Sequence, residues 1–193
     1  VRVPGFEADD IIGTLALKGA KAGYRVVIAS GDKDMMQLVS PEVQMLDTMK
    51  NKWFGIKEVE EKFGVPPGKV IEVMGLMGDS SDHIPGVKGV GPKTATELIQ
   101  KYGSIDELYK SIDEIEKKKL KQKLVQDKEL ALLSLKLVTI DTSMKLDCSL
   151  DDLKVRPSKN EDLKKLFSEF EFSSMLTGLE ESDENSSEER KGI

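Results

Sequence analysis

The apolar positions of this chain follow two patterns, one after the other. Ile11, Ile12, Leu15 and Ala16 recur at helical spacing between a turn at Pro4-Gly5 and a stop at Gly23, which predicts a helix over Ala8–Lys21. The β-rich run from Arg25 to Ala29, bounded by Gly23 and Gly31, predicts a buried parallel strand. A short helix over Lys33–Leu38 and a second strand near Val43–Leu46 follow. Helix then strand, twice over, is the pattern of an α/β layer on a parallel sheet. After Trp53 the pattern turns helical. Helices are predicted over Ile56–Phe63, ended by Gly64, and over Gly68–Met77, opened by Pro66-Pro67. Another spans Pro92–Tyr102, with proline at its first position and Gly103 just past its end. A long amphipathic helix over Leu120–Leu137 and one over Asn160–Phe170 complete the series, and no internal repeat is visible. Trp53 and Phe54 read as core.

Composition narrows the classes. The 193 residues, 38% hydrophobic and 33% charged, suffice for one ordinary domain or two small ones with a real core. No run approaches the roughly 20 apolar residues of a membrane helix. One cysteine, Cys148, excludes an internal disulfide framework and a cysteine-based zinc site, and one histidine, His83, excludes a multi-histidine centre. There is no basic region followed by an apolar run at the start, so no signal peptide is visible, and Val1 in place of Met suggests a processed or excised piece. The net charge of −6 is unevenly spread. Residues 1–83 carry 13 acids and 10 bases, residues 86–128 carry 7 acids and 10 bases, and the stretch from Thr177 carries 6 acids and 2 bases. An acidic first portion and a basic middle thus precede a polar acidic tail, which reads as a disordered linker over 177–193. Acidic composition does not exclude DNA here.

Seven of the first portion's acids fall in three clusters: Glu7, Asp9 and Asp10 opening a helix, Asp32 and Asp34 after a strand, and Asp79 and Asp82 after a helix. In open α/β sheets function sits beyond the carboxyl ends of the strands, where Asp32 and Asp34 lie. Converging carboxylates repel one another unless cations neutralise them. Two hard divalent ions, Mg2+ or Mn2+, about 3.5–4 Å apart would suit a phosphodiester. Each cluster also has a plain structural reading. Acids in a helix's first turn are favoured by the helix dipole, and aspartate beside glycine is ordinary turn chemistry. Positions i and i+2 share no helix face, so Glu7 and Asp9 converge only if Glu7 lies outside the helix proper.

The segment Gly86-Val-Lys-Gly-Val-Gly-Pro-Lys-Thr-Ala95 is more specific. Gly89 and Gly91 flank Val90, and Pro92 starts a helix, which is helix–hairpin–helix spacing. Glycine lets the backbone approach a surface closely, and the amides of the next helix's N-terminus can hold a phosphate. Lys88 and Lys93 add charge, which favours backbone contacts over sequence reading. The plainer reading is a glycine turn joining two packed helices. A dinucleotide fingerprint fails because no strand precedes the glycines. The lysine run from Lys117 to Lys123 reads as a solvated face, and aromatic residues at 5% are too sparse for base stacking on a sheet.

Three ordered segments, Val3-Pro-Gly-Phe-Glu-Ala-Asp-Asp10, Ser30-Gly-Asp-Lys-Asp-Met-Met-Gln-Leu38 and Met77 through Gly91, resemble the 5′→3′ exonuclease domain of bacterial DNA polymerase I, a relative of the structure-specific flap endonucleases. The resemblance runs from Val1 to about Leu176. It implies an α/β fold: a partial PIN-like core over 1–54, then a helical helix–hairpin–helix region over 55–176 that also contributes metal ligands. It maps the metal ligands onto Glu7, Asp9, Asp10, Asp32, Asp34, Asp79 and Asp82. Glu7 and Asp9 would serve mainly a first ion, and Asp32, Asp34 and Asp79 a second, with Asp10 and Asp82 acting through waters. The DNA grip maps onto Gly86, Lys88, Gly89, Val90, Gly91, Lys93 and Thr94, with a monovalent ion (K+) on the hairpin carbonyls.

The implied activity is two-metal hydrolysis of DNA at 5′ flaps or nicks, by a monomer in the bacterial cytoplasm at the nucleoid, followed covalently by a polymerase region. Roughly the first third of that family's domain, with a strand central to its sheet, has no counterpart before Val1, and His83 replaces a commoner asparagine. Two other readings stand beside it. One is a non-catalytic DNA-binding fragment, and the other a PIN-type ribonuclease, which leaves the hairpin unexplained.

Overall fold

The computed structural model describes residues 1–155 and 159–179, so the acidic linker expected over 177–193 lies outside the described residues from residue 180 onward. Val1–Leu150 forms one compact unit, and a second begins at Asp151.

The first unit opens with helix α1, Ala8–Lys21, which buries Ile11, Thr14 and Ala16 and ends where Gly23 takes a positive φ of 83°. Strand β1, Val26–Ala29, pairs in parallel with β2, Val43–Asp47, in the register Val26 to Val43 through Ala29 to Leu46. Between them Lys33–Leu38 winds as a 3₁₀ turn that buries Met35 and Met36. On β2 the alternation of a half-buried strand sends Val43, Met45 and Asp47 inward. Asp47 ends the strand with its carboxylate accepting the N–H groups of Met49 and Lys50 and the Lys50 ammonium.

The sheet is mixed rather than parallel throughout. A third strand, β3 (Lys52–Phe54), runs antiparallel to β2. Three residues are too few to show alternation, which is why the pattern hid it. Phe54 is buried, but Trp53 points outward and is 48% exposed, so only one of the two belongs to the core.

The helical part then packs onto this layer. Helix α2 is Ile56–Phe63, closed by Gly64 in the left-handed region at φ 70°. The helix expected over Gly68–Met77 begins as a 3₁₀ turn at Pro67–Lys69 and becomes α3 over Val70–Met77. Helix α4, Pro92–Tyr102, has the expected proline start and glycine end. Helix α5, Ile105–Lys110, was not predicted, although Ser104 accepting the Glu107 N–H is a readable start signal. The long helix expected over Leu120–Leu137 is two helices, α6 (Lys118–Gln126) and α7 (Lys128–Val138), broken at Asp127. Asp127 leaves helical geometry at φ −102°, ψ 20°, and its carboxylate accepts the Lys88 N–H at 2.9 Å. That tertiary hydrogen bond breaks a pattern that is continuous in sequence.

The buried core is continuous from Ala16 and Ile28 through Met45 and Val73 to Leu124 and Val138. In the second unit, α8 spans Asn160–Glu169, and Phe172, just past its end, packs against Phe167 of the helix and against Phe170. No helix among the described residues is long and apolar enough to cross a membrane.

Candidate functional site

The carboxylates come from three places that the fold brings to one edge. Helix α1 begins with Glu7 as its N-cap and Asp9 and Asp10 in its first turn. Asp32 caps the 3₁₀ turn beyond β1: its Oδ1 accepts the Asp34 N–H at 2.9 Å, and its own N–H is held by Ser30 Oγ at 3.1 Å. Asp79 and Asp82 lie on the loop between α3 and α4. One ligand oxygen each of Asp34, Asp79 and Asp82 lies within 4.8 Å of the others.

The loop that carries Asp79 and Asp82 is pinched at its base. Asp79 and Ile84 exchange two backbone hydrogen bonds, 2.9 and 2.7 Å, and Gly78 and Gly86 meet back to back. A Cβ on Gly86 would collide with the backbone of Met77 and Gly78, and both glycines have positive φ (71° and 58°). Within the loop the Ser81 N–H donates to Asp79 Oδ1 at 2.9 Å, which aims the side chain.

Electrostatics divides the group. Asp9 has its carboxyl held above the usual range by burial and by the charges of Asp32, Glu7, Asp10 and Asp82. Burial also raises Asp34, aided by Asp32 and Asp79 and opposed by Lys33. Asp79 goes the other way. Burial opposes its ionisation, but the Lys33 ammonium and the Ser81 N–H outweigh it and lower its pKa. Lys33 pairs with Asp79 and lies 3.3 Å from Asp34 Oδ1. That oxygen is shut off from solvent, and the Lys33 ammonium pairs with it by charge without completing a hydrogen bond. A buried carboxylate oxygen that receives no hydrogen bond, in a group whose oxygen ligands are all carboxylates, suits a hard oxygen-seeking divalent cation.

Asp10 is engaged elsewhere as well. Its Oδ1 accepts the Asp141 N–H at 2.9 Å, and its Oδ2 takes the Glu7 N–H at 3.4 Å. It ties α1 to the segment after α7. Glu7 lies at the helix start and enters the group through its charge on Asp9. Sequence reasoning missed Lys33, although a lysine between two aspartates on one turn is a signal for a charge held inside the cluster. It also missed Ser81, whose backbone role no side-chain pattern reports.

The glycine hairpin is anchored from below and open above. Val87 and Val90 are buried, and the Gly86 N–H donates to the buried Ser134 Oγ of α7 at 2.9 Å. Lys88, Gly89, Gly91 and Lys93 face outward, with Thr94 half-buried behind them. Gly91 caps α4, and Pro92 has no N–H, so the unpaired first-turn amides are those of Lys93 and Thr94. The Lys123 ammonium of α6 lies against Gly89. One member of the lysine run therefore reaches the hairpin.

An α/β unit whose carboxylates converge beyond its strand ends, joined to a helical region with a glycine hairpin and outward lysines, defines the class: a resolvase-like layer followed by a helical domain. The chain belongs to the 5′-3′ exonuclease family. The model of its N-terminal resolvase-like domain matches residues 1–64, and that of its C-terminal SAM fold matches residues 65–161. DNA polymerase I of Bacillus caldotenax is 43% identical over 196 residues, covering 97% of this chain and 22% of the relative. The 5′-3′ exonuclease of Aquifex aeolicus is 40% identical over 177 residues, covering 91% of this chain and 60% of the relative. The chain thus spans about a fifth of the polymerase relatives and three fifths of the exonuclease. Among solved structures, the 5′-exonuclease of bacteriophage T5 with divalent zinc superposes with a TM-score of 0.64 at 27% identity, over 72% of this chain and 52% of that one. A T5 flap endonuclease complex with DNA and metal ions also gives 0.64, at 26% identity over the same shares.

Proposed function

We propose that this chain is the metal-binding and DNA-gripping part of a 5′ nuclease that hydrolyses DNA phosphodiesters at 5′ flaps or nicks. The observation that carries the reading is the convergence of Asp34, Asp79 and Asp82, one ligand oxygen of each within 4.8 Å of the others, beside a second acidic group at Asp9. Asp34, Asp79 and Asp82 would hold one Mg2+ or Mn2+, and Glu7, Asp9 and Asp32 the second. Such ions, when bound, make a bound water nucleophilic near neutral pH and stabilise charge on the attacking and leaving oxygens. The chain's own task is positioning. Asp32 fixes the Asp34 backbone, and the pinched loop fixes Asp79. The hairpin from Gly86 to Gly91, with Lys88, Lys93 and Thr94, holds duplex phosphates, its carbonyls taking a monovalent ion such as K+. The protein acts as a monomer in the bacterial cytoplasm, with a polymerase region following in the same polypeptide as in the DNA polymerase I relatives.

The test is fluorescence anisotropy with 5′-flap DNA in Ca2+ at several salt concentrations, then cleavage in Mn2+ by wild type and Asp34→Asn. Affinity should fall steeply with salt, because the contacts are to phosphate. Asp34→Asn should still bind DNA while losing cleavage. A folded wild type that does not bind overturns the reading. Binding without any Mn2+-dependent cleavage leaves a DNA-binding module, and equal cleavage of ribo- and deoxyribo-flaps points to a ribonuclease.

A further inference from the structure

The 3₁₀ turn over Lys33–Leu38 places a cation where the acidic site would take one. Lys33 stands between Asp32 and Asp34 in sequence, and its ammonium crosses to Asp79, a loop residue 46 positions on, while lying 3.3 Å from Asp34 Oδ1. The match is incomplete. Asp79 is fully engaged, by Lys33 on one oxygen and the Ser81 N–H on the other, but Asp34 Oδ1 receives no hydrogen bond and no solvent. An ammonium has one charge and a few directed protons, whereas a divalent ion accepts oxygen ligands from several sides. The lysine is also retractable. Its side chain is 32% exposed against 5% for Asp79, and it rides on a flexible stem.

We propose that Lys33 is a resident counter-ion of the acidic site, holding the place between Asp34 and Asp79 that a divalent ion takes by displacing it. The inference rests on the metal-binding reading of these carboxylates. It gives the metal-free chain a neutralised pocket, so the carboxylates can be packed together before any ion arrives. It also makes divalent affinity a competition, weaker than the carboxylates alone would give. A lysine with a merely structural role would do the reverse, because its loss would loosen the site and weaken ion binding.

The experiment is Mn2+ binding, by electron paramagnetic resonance and calorimetry, to wild type, Lys33→Met, Lys33→Gln and Asp34→Asn, each first shown to be folded by circular dichroism. Removing the competing charge should tighten Mn2+ binding about tenfold in both Lys33 variants. Their metal-free melting temperature should fall below that of wild type and rise further than wild type on adding Mn2+. Asp34→Asn should lose the same site. Wild type that binds Mn2+ with folded Lys33 variants of equal or weaker affinity overturns the role of Lys33 and leaves the metal site standing. Absence of Mn2+ binding in wild type and variants alike overturns both. The glutamine variant keeps the test open should methionine prevent folding.

Discussion

Tyr109 shows what a single hydroxyl does between two helices. It donates to the Leu124 carbonyl at 2.9 Å, tying α5 to α6. Burial, with the charges of Asp127 and Glu129, pushes its pKa from the ordinary 10.0 to about 12. The folded chain therefore keeps a proton that the unfolded chain releases, and this residue's contribution to stability falls as pH rises from 10 towards 12. Tyr109→Phe should cost about 1 kcal/mol at neutral pH through the lost hydrogen bond. The wild-type advantage should shrink across that alkaline window, as urea denaturation at a series of pH values would measure. A constant difference would mean that the hydroxyl is not protected in the fold. Asp9 and Asp79 show the same principle at the acidic site. Two aspartates acquire opposite shifts, Asp9 upward by burial and among other carboxylates, Asp79 downward beside the Lys33 ammonium and the Ser81 N–H.

Among the elements, the loop between α3 and α4 carries both functions at once. Its base is the Gly78–Gly86 contact, and its far side is the hairpin held by Ser134 and Asp127. Two glycine substitutions should separate structure from binding. Gly86→Ala meets the backbone of Met77 and Gly78 at φ 58° and should destabilise the chain by roughly 2–4 kcal/mol in urea denaturation. Gly91→Val meets no atom within 4 Å, and its φ of −93° is open to any residue, so stability should barely change. Its effect should appear as an equal loss of affinity for DNA of every sequence, read by anisotropy, because the valine obstructs approach to phosphate. A Gly91→Val chain that binds as wild type would remove the hairpin from the interface.

Across the first unit, the sheet and helices share one hydrophobic core. Gln37 stitches them at the surface as well, donating to the Val138 carbonyl at 2.8 Å and accepting the Ile140 N–H at 3.0 Å. Thr14 of α1 likewise donates to the Asp141 carbonyl and accepts the Met144 N–H. Unfolding of Val1–Leu150 should therefore be a single transition. Trp53, the lone tryptophan, on β3, and hydrogen exchange across α7 should report the same denaturant midpoint. Separate midpoints would mean that the layer and the helices fold as independent parts.

The long periodic elements and their ends are legible in the order of residues alone. Helices α1, α2 and α4 announce themselves through apolar spacing and through Gly23, Gly64, Pro92 and Gly103, because these are local preferences of the backbone. Which residues could carry the chemistry is legible there as well, since aspartates beside glycines and a proline-started hairpin are local patterns too. Only the tertiary structure decided which of those aspartates meet. Asp34, Asp79 and Asp82 come together because a strand end and a glycine-pinched loop converge, and no spacing along the chain encodes that distance. The same holds for the break at Asp127, made by a hydrogen bond to Lys88, and for β3, which exists because β2 offers it an edge. Lys33 belongs to this second kind. Its sequence neighbours made it a lysine on a turn, and a carboxylate 46 residues away made it part of the site.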